Sequence, residues 1–210
     1  MRNKILVIHG AGRLSEMTSK FVGNKYDKIV SFVNPEYSSR LPQDHCLSVI
    51  TSFPSEIVEG SADYISTIGY KNMEARKHAF CTLSANYFLD PVNIIHPRSF
   101  ISPGADIGVG NIFFPGVVIE DGVKIGDNNI FWSNSCICHD STLGSHNFFA
   151  ASVTVGGFCS VEECCFLGFG SIINEDLKIA KRTFVASGTV LTKSQLIPGA
   201  RICGVPARLM

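Results

Sequence analysis

The 210-residue chain is poor in charged residues and carries no net charge. Asp, Glu, Lys and Arg together make up 17% of it, with 18 acidic and 18 basic side chains, against roughly 25% in an average soluble domain. The usual electrostatic case for binding nucleic acid or an anionic membrane surface is therefore missing. Apolar residues reach 45%, which excludes a disordered chain and predicts that a subunit interface covers part of the apolar surface.

We expect no targeting or membrane-spanning segment in this sequence. The apolar run at residues 5–8 is too short for a signal-peptide core, and no run approaches the roughly 18 apolar residues of a membrane span. The eight cysteines do not form the CxxC pairs of a zinc ribbon, and nothing indicates a secreted, disulfide-bonded protein. We expect a cytoplasmic protein with reduced thiols, and no membrane or nucleic-acid partner.

A six-residue repeat runs through the second half of the chain. Every sixth residue from Ile95 to Ile197 is Ile, Leu, Val or Phe, without a break in register. This period differs from both the helical repeat and plain strand alternation. It is typical of a coil of three short strands whose equivalent side chains stack inward, whereas a β-sandwich would require hairpin signals that are absent. Residues 91–210 are therefore predicted to form a left-handed parallel β-helix of about six coils.

Strands and helices alternate in residues 1–90. The apolar pattern predicts one helix that ends near residue 21 and another near 72–83, between strands at 4–8, 29–33 and 62–68. This order indicates a small Rossmann-like α/β domain with a parallel sheet.

A glycine turn joins the first predicted strand to the first helix. Gly10 and Gly12 lie where backbone N–H groups and the helix dipole can bind a phosphate. Ser15 replaces the third glycine of a dinucleotide site, and Asn34 stands where that site has an acidic residue, so full NAD binding is disfavoured. Binding of a nucleotide diphosphate and a tight turn without a ligand both remain open.

His139 precedes Asp140 at a predicted corner of the third coil. A neutral imidazole beside a carboxylate is the usual arrangement of a general base. His9, His45 and His78 have no obvious partner in the sequence, which favours structural roles.

A second corner histidine, His146, is expected to be solvated rather than catalytic. A metal site that combines it with Cys136, Cys138 and His139 is disfavoured, because the two cysteines flank an inward-facing residue and would have to converge with both histidines.

Charge is distributed unevenly along the repeat region. Residues 99–177 contain nine acidic side chains and one lysine, whereas residues 178–210 contain six basic side chains and no acid. Lys and Arg pair well with phosphate, so the basic end suits a polyphosphate such as coenzyme A. A solvated terminal cap is the alternative interpretation.

The hexads, the glycine turn, His139-Asp140 and the closing run Gly204-Val205-Pro206-Ala207 together resemble one family across nearly the whole chain. It is the hexapeptide-repeat sugar acyltransferases, of the sialic acid O-acetyltransferase and nucleotide-amino-sugar N-acetyltransferase type. The resemblance implies a homotrimer with acetyl-CoA bound between neighbouring solenoids, and an α/β domain that holds a nucleotide-linked amino sugar.

The resemblance also implies site residues. His139 matches the general base, Asp140 its acidic neighbour, and Gly157 the backbone N–H that meets the thioester carbonyl. The expected coenzyme-binding residues are Gly157, Phe169, Lys181, Ala186, Ser187, Arg201 and Pro206. The expected acceptor-binding residues are Gly10, Gly12, Asn34, Gly69, Tyr70, Trp132 and Phe148. The last two replace an asparagine and a histidine of relatives, and packing in the trimer interface is the alternative for both.

We expect an acetyl-CoA-dependent N-acetyltransferase that transfers the acetyl group directly to the amine of a nucleotide-linked amino-deoxy sugar, without a metal. O-acetylation of a sialic-acid-like sugar and a non-catalytic solenoid trimer are the alternatives. A β-helix carbonic anhydrase would need more suitably spaced histidines than the chain provides.

Overall fold

A computed structural model of the chain describes residues 4–34, 47–54, 57, 62–86 and 89–210. The chain forms two compact units, Met1–Ile94 and Ile95–Met210, and the boundary predicted after residue 90 lies slightly before this division. No helix among the described residues is long and apolar enough to cross a bilayer.

The first unit is built on a parallel sheet with helices between the strands. Its strands are β1 (Ile5–His9), β2 (Lys28–Phe32), β3 (Ser48–Ile50), β4 (Ala62–Ser66) and β5 (Leu89–Pro91). The helices are α1 (Arg13–Phe21) and α2 (Met73–Asn86), with a 3-10 turn at Gly23–Lys25. The strand order is β3-β2-β1-β4-β5, and every pairing is parallel. The predicted α/β sheet is confirmed, and the short strands β3 and β5 were not predicted.

The second unit is a solenoid of three sheets whose strands, apart from the final pair β23 and β24, are two residues long and parallel. Sheet 1 contains β7 (Phe100–Ile101), β10 (Val118–Ile119), β13 (Cys136–Ile137), β16 (Thr154–Val155), β19 (Ile172–Ile173) and β22 (Val190–Leu191). Sheet 2 contains β8 (Asp106–Ile107), β11 (Lys124–Ile125), β14 (Thr142–Leu143), β17 (Ser160–Val161) and β20 (Lys178–Ile179). Sheet 3 contains β6 (Ile94–Ile95), β9 (Ile112–Phe113), β12 (Ile130–Phe131), β15 (Phe148–Phe149), β18 (Phe166–Leu167), β21 (Phe184–Val185), β23 (Arg201–Cys203) and the antiparallel β24 (Arg208–Leu209). The predicted hexapeptide solenoid is confirmed.

The repeated apolar residues form the inner stack of the solenoid. Every sixth side chain from Phe113 to Leu191 is buried, and Phe131 stacks between Phe113 and Phe149 with ring centroids 4.9 and 4.7 Å away. The first and last of the repeated residues, Ile95 and Ile197, are exposed. They lie at the ends of the repeat, so they contribute little to the core that the repeat predicts.

A row of buried asparagines shows how side chains repeat from coil to coil. Asn111, Asn129 and Asn147 are fully buried. Asn111 Oδ1 accepts the backbone N–H of Asn129, and Asn129 Oδ1 accepts that of Asn147, each over 18 residues and 2.8 Å. Residues 18 apart therefore lie in one column of the solenoid, and the same spacing assembles the candidate site.

Candidate active site

His139 and Asp140 form a hydrogen-bonded pair at the corner that follows β13. His139 Nδ1 lies 3.0 Å from Asp140 Oδ2, and both side chains are about half exposed. Asp140 has a φ of 57°, and its backbone N–H donates to Asp121 O. When Nδ1–H donates to the carboxylate, Nε2 is left as the basic nitrogen. The pair therefore has the arrangement of a general base and its orienting carboxylate.

The imidazole ring lies directly against the backbone of Gly157, one coil later. A Cβ atom at Gly157 would lie 2.9 Å from His139 Cε1 and 3.0 Å from its Nε2. The ring also meets Phe158 edge-on, with centroids 5.1 Å apart. Only glycine therefore leaves room for the imidazole in this position.

Glu120 fixes the backbone at His139. Its Oε2 accepts the backbone N–H of His139 at 2.9 Å, over 19 residues. Glu162 makes the same contact to the N–H of Lys181 at 2.8 Å, also over 19 residues. A glutamate one coil earlier thus satisfies a corner amide that has no backbone partner.

The N–H of Gly157 has no equivalent glutamate acceptor. Cys138 occupies the position 19 residues before it. The N–H groups on either side are paired, Gly156 with Ile173 O and Phe158 with His139 O. Among the hydrogen bonds of the described residues, none uses the Gly157 N–H. A backbone donor beside a basic imidazole is the arrangement that stabilises an oxyanion in acyl transfer.

An open groove of about 520 Å³ lies at this corner. It is lined by Glu120, Cys138, His139, Gly156, Gly157, Asn174 and Glu175. The sequence singled out His139 and Gly157 for this place, but it missed Glu120, Asn174 and Glu175, and it did not assign Cys138 to the groove. An 18-residue spacing would have found them. Cys138 follows Glu120 by one coil, and Glu175 follows Gly157 by one coil.

The residues expected to bind coenzyme lie elsewhere on the solenoid. Phe169, Ala186 and Ser187 come together at the corner between sheets 3 and 1, where Phe169 O accepts the N–H of Gly188 at 2.8 Å. Pro206 belongs to the closing loop beside β22, since Ala207 N–H donates to Val190 O.

The two basic residues of the expected coenzyme site lie in two other places on the solenoid, away from the Phe169 corner. Lys181 lies between sheets 2 and 3, and Arg201 begins β23, with its guanidinium carbon 4.3 Å from the centre of the Phe184 ring. Sheet 1 separates the Phe169 corner from the His139 corner, so one solenoid alone does not bring these groups into one groove.

Trp132 and Phe148 also lie away from the groove, along sheet 3. Phe148 is buried and stacks on Phe166 with centroids 5.7 Å apart. Trp132 stacks on Phe114 at 4.4 Å, and its indole N–H has no acceptor among the described residues.

The residues expected to bind the acceptor's nucleotide follow neighbouring strands of the first unit. Gly10 and Gly12 follow β1, Asn34 follows β2, and Gly69 and Tyr70 follow β4. Because the strands are parallel, these residues share the carboxyl edge of the sheet. The strand order changes direction at β1, and ligands of open α/β sheets bind at such a point.

The glycine turn has a conformation that excludes other residues. Gly10 has a φ of 118°, and a Cβ atom there would lie 2.7 Å from Thr67 Oγ1. Its N–H donates to Phe32 O, and its carbonyl accepts the hydroxyl of Ser31. The turn is thereby held between β2 and β4.

His9 is buried at the end of β1, as its expected structural role requires. Burial lowers its pKa to about 4, and a hydrogen bond that the ring donates to the Asn34 side chain opposes that shift only in part. The neutral imidazole therefore links β1 to the segment after β2.

We predict that the first unit loses stability as the pH falls from 6.5 towards 4. In this window the unfolded chain binds a proton at His9 that the folded chain does not, which costs up to about 3 kcal/mol. Urea unfolding followed by tyrosine fluorescence reports on this unit, because all five tyrosines precede residue 90. His9→Gln should flatten the pH dependence and the exposed His78→Gln should not. An unchanged slope in His9→Gln would contradict the assignment.

The structure corrects the expectation for His146, which is buried rather than solvated. Its Nδ1 lies 2.9 Å from Asn128 Nδ2, so the ring is part of the packed corner. His45 lies outside the described residues. The sequence disfavoured a metal site of Cys136, Cys138, His139 and His146. In the structure the two cysteines instead lie close to Glu120.

Comparison with known proteins places the repeat region in a family. The family described as the GMPPB C-terminal domain matches residues 92–198, just over half of the chain. The chain belongs to this family. No curated protein matches the sequence significantly.

Solved structures share the fold of this family member over almost its whole length. PerB from Caulobacter crescentus, solved with CoA and GDP-perosamine, is 24% identical, with a TM-score of 0.83 over 98% of this chain and 96% of its own. The acetyltransferase domain of PglB from Neisseria gonorrhoeae is 20% identical, with a TM-score of 0.84 over 99% and 100%. WeeI from Acinetobacter baumannii gives the same identity, TM-score and coverage as PglB. The expected fold, that of hexapeptide-repeat β-helix acetyltransferases, is thus confirmed.

Proposed function

We propose that the protein is an acetyl-CoA-dependent N-acetyltransferase acting on the amine of a nucleotide-linked amino-deoxy sugar. The observation that carries the proposal is the groove in which the His139 ring, paired with Asp140, lies against the backbone of Gly157. The Gly157 N–H makes no hydrogen bond to the described residues. PerB, which shares the fold of both units, was solved with CoA and a nucleotide amino sugar, and PglB was also solved with acetyl coenzyme A.

The geometry supports direct transfer. The acceptor amine attacks the thioester carbonyl, His139 Nε2 takes the proton from nitrogen, and Asp140 stabilises the imidazolium. The Gly157 N–H donates to the oxyanion, a contact worth roughly 10²–10³ in rate. The intermediate then collapses to the amide, and the CoA thiolate leaves. Cys138 is a poor nucleophile, because burial raises its pKa to about 11, which disfavours an acyl-enzyme.

The outward face of sheet 1 supports a homotrimer. Its six outward residues include no charged side chain, and Phe100 and Ile172 are 58% and 42% exposed. The outward residues of sheet 2 are all charged or hydroxyl-bearing. An apolar face that separates the His139 corner from the Phe169 corner suits a contact between chains, with acetyl-CoA bound between neighbouring solenoids.

We predict that Ile172→Asp dissociates the trimer, because the variant places an unpaired charge in an apolar contact. Sedimentation should give a trimer for the parent and a monomer for the variant. Thr142→Asp, on the exposed face of sheet 2, should leave the assembly unchanged. A monomeric parent protein would contradict the proposed contact.

A panel of acceptors tests the proposed function. Thiol release from acetyl-CoA is measured with GDP-, UDP- and dTDP-linked 4-amino-4,6-dideoxy sugars and with free sialic acids. We expect turnover with at least one nucleotide amino sugar and none with the free sialic acids. Turnover with sialic acid alone would establish the O-acetyltransferase alternative. Absence of acetyl-CoA binding in calorimetry would contradict the proposal and favour the non-catalytic alternative.

A further inference from the structure

Three soft or anionic donors meet at the edge of the groove. One ligand atom each from Glu120, Cys136 and Cys138 lies within 4.8 Å of the other two, and all three side chains are partly buried. Cys136 faces outward from β13, on the sheet 1 face proposed above to contact a neighbouring chain. Cys138 begins the following corner, and Glu120 lies one coil earlier in the Cys138 column. The three come together because outward residues of a strand and its corner share one side of the solenoid.

We propose that Glu120, Cys136 and Cys138 form a Zn²⁺ site, with the fourth position open to water in the groove. Two thiolates and one carboxylate are donors that Zn²⁺ accepts in tetrahedral sites, with Zn–S near 2.3 Å and Zn–O near 2.0–2.2 Å. Such bond lengths place neighbouring donors roughly 3.5–4 Å apart. Donor atoms already within 4.8 Å of one another reach that spacing by small side-chain rotations.

The charges of the three donors suit a bound cation. When the cation binds, both thiols release their protons, and the cation offsets the charges of the two thiolates and of the Glu120 carboxylate, as in structural thiolate sites. Glu120 can hold the metal through Oε1, because Oε2 accepts the His139 N–H.

The site has a consequence for the groove. Glu120 and Cys138 line it together with His139. A Zn²⁺ ion there occupies part of the space beside the imidazole, so Zn²⁺ is an inhibitor of the proposed acetyl transfer rather than its cofactor. Metal binding itself does not depend on the proposed function.

Co²⁺ titration of the reduced protein tests the site directly. We expect a thiolate-to-Co²⁺ charge-transfer band that saturates at one ion per chain and is displaced by Zn²⁺. Cys136→Ser and Cys138→Ser should each weaken binding by at least about 10–100-fold, since the loss of an outer-shell partner already costs that much. Glu120→Gln should also weaken binding, although its amide oxygen still accepts the His139 N–H.

Matched variants separate this site from the other cysteines and carboxylates. Cys203→Ser, and Glu162→Gln at the equivalent capping position, should bind Co²⁺ like the parent protein. The proposal is overturned if the parent protein shows no band at stoichiometric Co²⁺. It is also overturned if the band persists in the Cys136→Ser/Cys138→Ser double variant. Neither result depends on finding the acceptor sugar, so failure of the metal site and failure of the proposed activity are distinguishable.

Discussion

Replacing His139 with alanine is expected to lower kcat/KM for acetyl transfer by roughly 10²–10⁴, the range that general-base catalysis supplies. The variant removes the group that takes the amine proton and leaves the Gly157 N–H in place. The loss should fall on kcat, because the ring contacts Gly157 and Phe158 and none of the basic side chains that suit coenzyme phosphates. Thiol release at saturating acetyl-CoA and acceptor measures it.

Two further variants make this result specific. His78→Ala changes an exposed histidine of α2 and should leave kcat unchanged. Asp140→Asn keeps a hydrogen-bond acceptor for Nδ1 but removes the negative charge, so it should lower kcat by less than His139→Ala does. The His139 side chain is 53% exposed, so its removal should change the thermal midpoint little. A His139→Ala variant with the parent's rate of thiol release would refute the general-base role.

The solenoid could be predicted because the six-residue period of the sequence directly reflects the repeating geometry of the coils. Each inward position from Phe113 to Leu191 is buried, since coils of equal length must stack equivalent side chains. The prediction weakens at the ends, where Ile95 and Ile197 are exposed. In the first unit, strand and helix periodicity located β1, α1, β2, β4 and α2. It missed β3 and β5, whose three residues each are too few to show a period.

The candidate site was only partly predictable, because its contacts run between coils. The pair His139-Asp140 is adjacent in sequence and visible as a motif. The contact of Glu120 with the His139 N–H spans 19 residues, and a six-residue pattern does not reveal which corner side chains meet. His146 was misjudged for the same reason, since its partner Asn128 lies 18 residues earlier. Folding the sequence into rows of 18 would have exposed both contacts.

Replacing Gly157 with alanine is expected to lower kcat by about 10²-fold while the fold survives. The φ of Gly157 lies outside the range that favours glycine, so the backbone accepts alanine. The three atoms nearest to the new Cβ would all belong to the half-exposed ring of His139, at 2.9–3.3 Å, and the ring can swing towards solvent. A displacement of about 1 Å at a catalytic group can cost 10²-fold. Thermal unfolding should be close to that of the parent protein.

Gly156→Ala is the control for this prediction, because the same change one residue earlier meets backbone. Its Cβ would lie 2.6 Å from the backbone nitrogen of Glu175. The coils would have to separate there, so we expect this variant to lose about 1–3 kcal/mol of stability, the usual cost of overpacking. The two glycines thus serve different purposes, with Gly156 allowing the coils to stack and Gly157 allowing the imidazole to lie over them.

A double-mutant cycle decides how Gly157→Ala acts. If the methyl group acts by displacing the imidazole, the change has almost no further effect in a His139→Ala background, because the displaced group is already gone. If it acts instead by blocking the thioester from the Gly157 N–H, the two losses multiply. The geometry predicts the first result, since all three of the nearest atoms to the added carbon belong to the His139 ring. Multiplicative losses would show that the donor, rather than the position of the base, requires glycine here.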